Sequence, residues 1–133
     1  MRKSEITDEL IALSKRAKEL GFPQDLQEGD WYWCNSDQRC YVIDELSYEE
    51  EQAINDSDYP EDFLILTFST CLAWLRGQGY EYIDCLYDGY DTNWSFFAGQ
   101  IDEERCMKKD HFTKAKTHHE AIAKCVIKVL EEK

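Results

Sequence analysis

Three stretches of this chain alternate aromatic and apolar residues tightly enough to restrict it to a sheet-containing fold: WYWCNSDQRCYVID at residues 31–44, YEYIDCLY at 80–87 and NWSFFAGQI at 93–101. Side chains point to opposite faces with period two, so Trp31 and Trp33 share one face while Tyr32 and Cys34 share the other. Both faces are partly apolar. The turn-forming NSDQ separates strands at 30–34 and 39–45, and DGYDTN separates strands at 80–87 and 94–101, so each pair reads as a hairpin. If both aromatic faces are buried, helices must cover both sides of the sheet.

The helices announce themselves by a different period. Ile6, Leu10, Leu13, Ala17 and Leu20 mark one stripe, which Gly21 and Pro23 end. Thr67 or Ser69 can cap a second helix carrying Phe68, Cys71, Leu72 and Leu75, stopped by Gly77 and Gly79. Thr117 and Glu120 have capping-box spacing, and Ala121, Ile122, Cys125, Val126, Val129 and Leu130 then follow one face to the C-terminus. Residues 63–66 read as extended, 49–54 as a short helix, and 102–116 as polar and irregular with a short edge strand at 106–108. The expected order is α-β-β-α-β-β-α. It makes an α+β class of fold, with one four-stranded, mainly antiparallel sheet and helices on both faces as a three-layer sandwich. Helix, glycine, aromatic hairpin and an IDE ending occur twice, a likeness of layout only. At 133 residues the chain fits a single domain spanning 1–133.

Charge is unevenly spread. Residues 40–104 hold 16 acidic side chains against one base, Arg76, whereas 105–133 hold 8 bases and 4 acids. Nine of the acids fall in DELSYEEEQAINDSDYPED, residues 44–62. Such a field repels nucleic acid and anionic membrane surfaces and attracts cationic partners. No run approaches the ~18 apolar residues of a membrane span, and the basic N-terminal pair has no apolar region behind it. A reducing cytoplasm is the expected compartment, with the six cysteines as free thiols.

Two segments resemble a known group. TFSTCLAWLRGQGY (67–80) is similar to a helix-then-strand entry found in small proteins of phages, prophages and Bacteroidetes mobile elements. THHEAIAKCVIKVLEE (117–132) is similar to their closing helix, and tryptophan- and tyrosine-rich strands lie between. The chain thus resembles the phage ABA-sandwich-like proteins over residues 63–133. That resemblance implies a three-layer α/β/α domain and brings no catalytic motif with it.

Each candidate site also has a plainer role. Cys34 and Cys40 lack the spacing and the second pair that structural zinc needs, so they read as strand residues. Cys106, His111, His118 and His119 are not accompanied by a phosphate loop, HExxH or GxSxG motif. No catalytic residue, metal site or cofactor is therefore expected, and the chain reads as a non-enzyme. The aromatics Trp31, Trp33, Tyr80, Tyr82, Trp94, Phe96 and Phe97 would serve a sheet core, or, as the alternative, stack a nucleotide-like small ligand. The acidic segment carries the preferred function: Glu49, Glu50, Glu51, Asp56, Asp58, Glu61 and Asp62, extended by Asp88 and Asp91, pair with the basic surface of a host protein, itself nucleic-acid-binding or defensive. A solubilising role is the plain alternative for the same residues. The lysines at 108–116 and 124–128, opposite an acidic middle, also permit self-association.

Overall fold

A computed structural model describes residues 1–43 and 61–133. Among the described residues the fold is mixed α+β, with three α-helices and two three-stranded antiparallel sheets. The chain divides into two compact units, Met1–Ile65 and Leu66–Lys133.

In the first unit, α1 (Asp8–Glu19) starts where Thr7 accepts a hydrogen bond from the Leu10 amide at 3.1 Å. It ends at Gly21, whose φ of +99° only glycine adopts freely, while the Phe22 amide turns back to the Ala17 carbonyl. Leu10, Ser14 and Ala17 are its buried positions, spaced as one face. The hairpin forms as β1 (Trp31–Cys34) and β2 (Arg39–Val42). A two-residue strand, β3 (Phe63–Leu64), joins the other side of β1, giving the order β2-β1-β3. Gln24 caps this short strand by accepting from the Leu64 amide at 2.9 Å.

The second unit opens with α2 (Phe68–Gly77), capped by Thr67 accepting from the Thr70 amide. β4 (Tyr82–Asp88), β5 (Asn93–Ile101) and β6 (Met107–Ala115) follow, with β5 central. α3 (His118–Glu131) is capped by Thr117, which accepts from the Glu120 amide at 3.1 Å. All six residues expected on its apolar face are buried, and His119, Glu120, Ala123 and Ile127 are buried beside them. α3 packs on β5 and β6, and α2 packs on α3. Phe96 lies under this cover with no exposed area, edge-on to Phe68 at 6.0 Å.

Two expectations are corrected here. The four-stranded sheet is replaced by two sheets of three, because β3 and β6 add a strand to each hairpin. β6 looked irregular because its solvent side carries Lys108, Asp110, Phe112 and Lys114. Its buried side alternates His111, Thr113 and Ala115, none of which is a strong hydrophobe. The two-sided helix cover also fails for the β4–β6 sheet: within this unit both helices lie on one side. The two units are not topological copies either, since the first-formed strand is central in one sheet and the second-formed strand in the other. The short helix expected at 49–54 lies outside the described residues.

Candidate functional site

The register of the β4–β6 sheet sorts its residues cleanly. Tyr82, Gly99 and Asp110 form one cross-strand row; Asp84, Phe97 and Phe112 the next; Leu86, Ser95 and Lys114 a third; Asp88 and Asn93 the last. These residues share the face turned away from α3. Ile83, Cys85, Phe96, Ala98, His111, Thr113 and Ala115 share the other, where Phe96 and Ala98 are fully buried.

The outer face is apolar at its centre and open. Tyr82 is 49% exposed, Leu86 62%, Phe112 52% and Met107 45%, with half-buried Phe97 between them. Four large apolar side chains on one sheet face form a patch rather than the scattered exposure of an ordinary surface. Their arrangement is fixed. Tyr82 meets Phe97 edge-on at 5.7 Å, and the Lys114 ammonium lies 5.9 Å from the Phe112 ring centre. Gly99 is buried beneath Met107, whose thioether occupies the space a Cβ would need, so only glycine lets that methionine lie across the sheet. Asp84, Leu86, Ser95, Phe97 and Phe112 enclose a shallow dent of about 50 Å³.

Charge borders the patch on both sides. The β4 side carries Asp84 and Asp88, and the β6 side carries Asp110 and Lys114, all exposed. β6 is an edge strand, but α3 closes its backbone: Lys128 donates to the Phe112 carbonyl at 3.2 Å and Lys124 to the Lys114 carbonyl at 3.1 Å. Cationic cover of this kind suppresses strand addition at that edge. The face stays open while the β6 edge does not.

Of the acidic residues expected to bind a partner, Glu49, Glu50, Glu51, Asp56 and Asp58 lie outside the described residues. Asp62 serves the fold: it is buried, its Oδ1 accepts from the Asn35 amide at 2.9 Å, and its carbonyl accepts from Lys18 Nζ at 2.5 Å. Neighbouring Glu61 accepts from the Asn35 side chain. Asp88 and Asp91 shape the β4–β5 turn by accepting from the Tyr90 and Asn93 amides, and Asp91 also pairs with Lys114 at 3.5 Å. Asp84 and Asp110, which border the apolar patch, had not been singled out from sequence. Their alternation with Tyr82, Leu86 and Phe112 was the signal that could have found them.

Among the described residues, Cys106 and His111 are not brought together with His118 and His119. Cys40 is opposite Trp33 and Cys34 opposite Arg39, so the two thiols emerge on opposite faces of the hairpin. All six cysteines are free. Burial raises the Cys71 thiol far above its ordinary range and pushes Cys125 up to about 12, which leaves both inert as nucleophiles near neutral pH. His111 is buried against the Tyr80 hydroxyl at 3.2 Å and Glu132 at 3.3 Å. Glu132 itself is held below the usual carboxylate range, chiefly by its hydrogen bond with Lys109 at 2.6 Å. His118 and His119 begin the helix that Glu132 closes, roughly 20 Å away at the helical rise of ~1.5 Å per residue. His119 Nδ1 accepts from the Phe68 amide at 2.9 Å, and the His118 ring lies against Phe68 and Trp94. Each is engaged in packing or capping.

The first unit contributes one cleft of about 660 Å³ between α1 and the hairpin. Ile11, Ala12, Trp33 and Phe63 give its apolar lining, and Asp8, Lys15, Lys18, Glu19 and Glu61 its charged lining. Trp33 and Phe63 lie nearly parallel, 6.2 Å apart and 22° from coplanar. A smaller hollow of about 330 Å³ continues from it past Trp33 toward Lys3 and Arg39. Among the described residues no helix is long and apolar enough to cross a membrane. Comparison with family models, with curated proteins and with solved structures finds no match to this chain.

Proposed function

We propose that this chain is a non-enzymatic, cytoplasmic binding protein of the phage or mobile-element accessory kind, acting on a protein whose basic groups surround an apolar patch. The observation that supports this reading is the outer face of the β4–β6 sheet. It holds Tyr82, Leu86, Met107 and Phe112 exposed within a carboxylate border on β4. Apolar, aromatic centres with charged rims are how protein interfaces divide affinity from steering. The net charge of −13 favours a cationic partner at long range, and six free thiols suit a reducing compartment. Acidic residues of segment 44–62 would extend the same attraction to a basic host protein.

Tagged protein used as bait at low and high salt tests the reading. Wild type is expected to retain a protein that elutes as salt rises. The pairs Leu86→Ala with Phe112→Ala, and Asp84→Asn with Asp88→Asn, are expected to lose it without a change in melting temperature, because these side chains are exposed. Equal capture by all three baits would reject the face as the binding surface.

A second reading, a small planar ligand, is favoured by the Trp33–Phe63 pair in a cleft whose volume lies within the ~300–1,000 Å³ typical of ligand sites. A nucleotide panel in a thermal-shift experiment is expected to raise the wild-type melting temperature and to leave Trp33→Ala unmoved. No shift with any nucleotide would discard it.

A further inference from the structure

We infer that the free edge of β4 pairs antiparallel with β4 of a second copy of this chain, Tyr82 against Asp88 and Cys85 against Cys85, so that the two sheets continue as one. This edge is distinct from the outer face, which the pairing leaves uncovered.

The sheet treats its two edges differently. At β6 the edge is closed, because Lys124 and Lys128 of α3 donate to its carbonyls. At β4 it is open. β5 takes one side of β4, and among the described residues nothing hydrogen-bonds to the backbone on its other side. The strand, YIDCLYD, is seven residues long, with no proline, glycine or lysine and an unbroken register against β5. Short length, proline, lysine and bulges are what keep an edge from pairing, and β4 has none of them. Its cover is also thin. α3 packs on β5 and β6, and Tyr87, on the helix side of β4, remains 54% exposed.

Charge and symmetry select the partner and the register. Two identical strands related by a two-fold axis run antiparallel, so the open ladder of one copy meets an equally open ladder in the other. Full overlap sets Tyr82 against Asp88, Ile83 against Tyr87, Asp84 against Leu86 and Cys85 against its own copy. No two carboxylates are then directly opposed. A slip of two residues one way sets Asp84 against Asp84, and the other way sets Asp84 against Asp88 twice. A slip of one residue opposes outer-face to helix-side residues and mismatches the ladder. Parallel addition in register sets each aspartate beside its own copy. The register with the most pairs is therefore also the one with the fewest conflicts. Its side chains agree, since Ile83 beside Tyr87 joins a β-branched residue to an aromatic ring and the Tyr82 hydroxyl can donate to Asp88.

The assembly also closes. Each copy contributes its open edge, and the outermost strands of the joined sheet are the two lysine-covered β6 edges, so no third copy adds. Asp84 and Asp88 of the two copies remain diagonal neighbours about 7–8 Å apart, and each chain carries a net charge of −13. The pair thus forms against a repulsion that salt screens. About six backbone hydrogen bonds join the strands, over an area below the ~1,200 Å² of standard interfaces. A dissociation constant on the order of tens of micromolar is expected.

Sedimentation equilibrium of the full chain tests the pairing. Wild type is expected to dimerise, and about tenfold more tightly at roughly 0.5 M than at roughly 0.05 M salt, the opposite of the response expected for capture of a basic protein. Leu86→Asp sets a new carboxylate against each Asp84 and should weaken the dimer by about tenfold. Adding Asp84→Lys to it should restore the affinity to within a few-fold of wild type, because each new carboxylate then faces a lysine. Both positions are exposed, so melting temperatures should not move. In a Cys34→Ser, Cys106→Ser background, a short bis-thiosulfonate reagent should link two chains through Cys85, and Cys85→Ser should stay unlinked while still dimeric in the centrifuge. A chain that is monomeric at both salts overturns the pairing. A dimer that loosens as salt rises, or that links through a cysteine other than Cys85, overturns the β4 edge. A double variant no tighter than Leu86→Asp overturns the register.

Discussion

Truncating Phe96 to alanine is expected to cost about 3–5 kcal/mol, enough to unfold the second unit or bring it close to unfolding. Phe96 sits in the middle of the central strand, between Cys85 on β4 and Thr113 on β6, with no exposed surface. Its ring meets Phe68 of α2 edge-on, so one side chain fastens the sheet to the helix layer. Neither β4 nor β6 can shift to close the space, because each is held to β5 by seven or more register pairs. The transfer and cavity costs therefore both apply. Urea unfolding followed by circular dichroism measures the loss. A cost below about 1 kcal/mol would mean that the buried side of this sheet is assigned wrongly, and the outer face with it.

Leu10→Ala should have the corresponding effect on the first unit, about 2–5 kcal/mol. α1 buries only three positions, and two of them, Ser14 and Ala17, are small. Ser14 spends its hydroxyl on the Leu10 carbonyl at 2.8 Å, so it adds little apolar area. Leu10 is thus the one large side chain that the helix buries fully. Ile11→Ala is the matched control: Ile11 is half-buried beside the cleft and should cost no more than about 1.5 kcal/mol. Equal losses from the two variants would mean that the buried stripe of α1 has been misassigned by one residue.

The helices and both hairpins were legible because their signals are local. Caps at Thr67 and Thr117, glycines at 21 and 79, and turn residues between aromatic runs act over a few positions and are met as written. β3 and β6 were not legible. β3 is two residues long and exists because Gln24 and β1 satisfy its backbone, a long-range circumstance. β6 buries a histidine, a threonine and an alanine, each made tolerable by a specific partner: Tyr80 and Glu132 for His111, the Ala121 carbonyl at 2.6 Å for Thr113. No hydropathy pattern encodes those bonds.

The candidate face was obscured for a related reason. Strand alternation begun at Tyr80 would put Tyr80 and Tyr82 on one side, but Tyr80 belongs to the helix-to-strand connection, where its amide bonds the Leu75 carbonyl and its ring is buried. Strand alternation starts only at Tyr82, which points outward with Leu86. Acid content also misled at one point. Asp62 looked like part of a solvated charge run, yet it is spent on the Asn35 amide. Composition reports how many carboxylates a segment has and not which of them the backbone consumes.

The most direct test of the binding face is hydroxyl-radical footprinting of the full chain in dilute solution, in concentrated solution and in host lysate. Oxidation of Tyr82, Met107 and Phe112 should fall several-fold in host lysate. Tyr90, fully exposed in the β4–β5 turn and away from the face, should keep its rate as the internal reference. Equal oxidation of all four residues under the three conditions would contradict the account, because a face that nothing covers binds nothing.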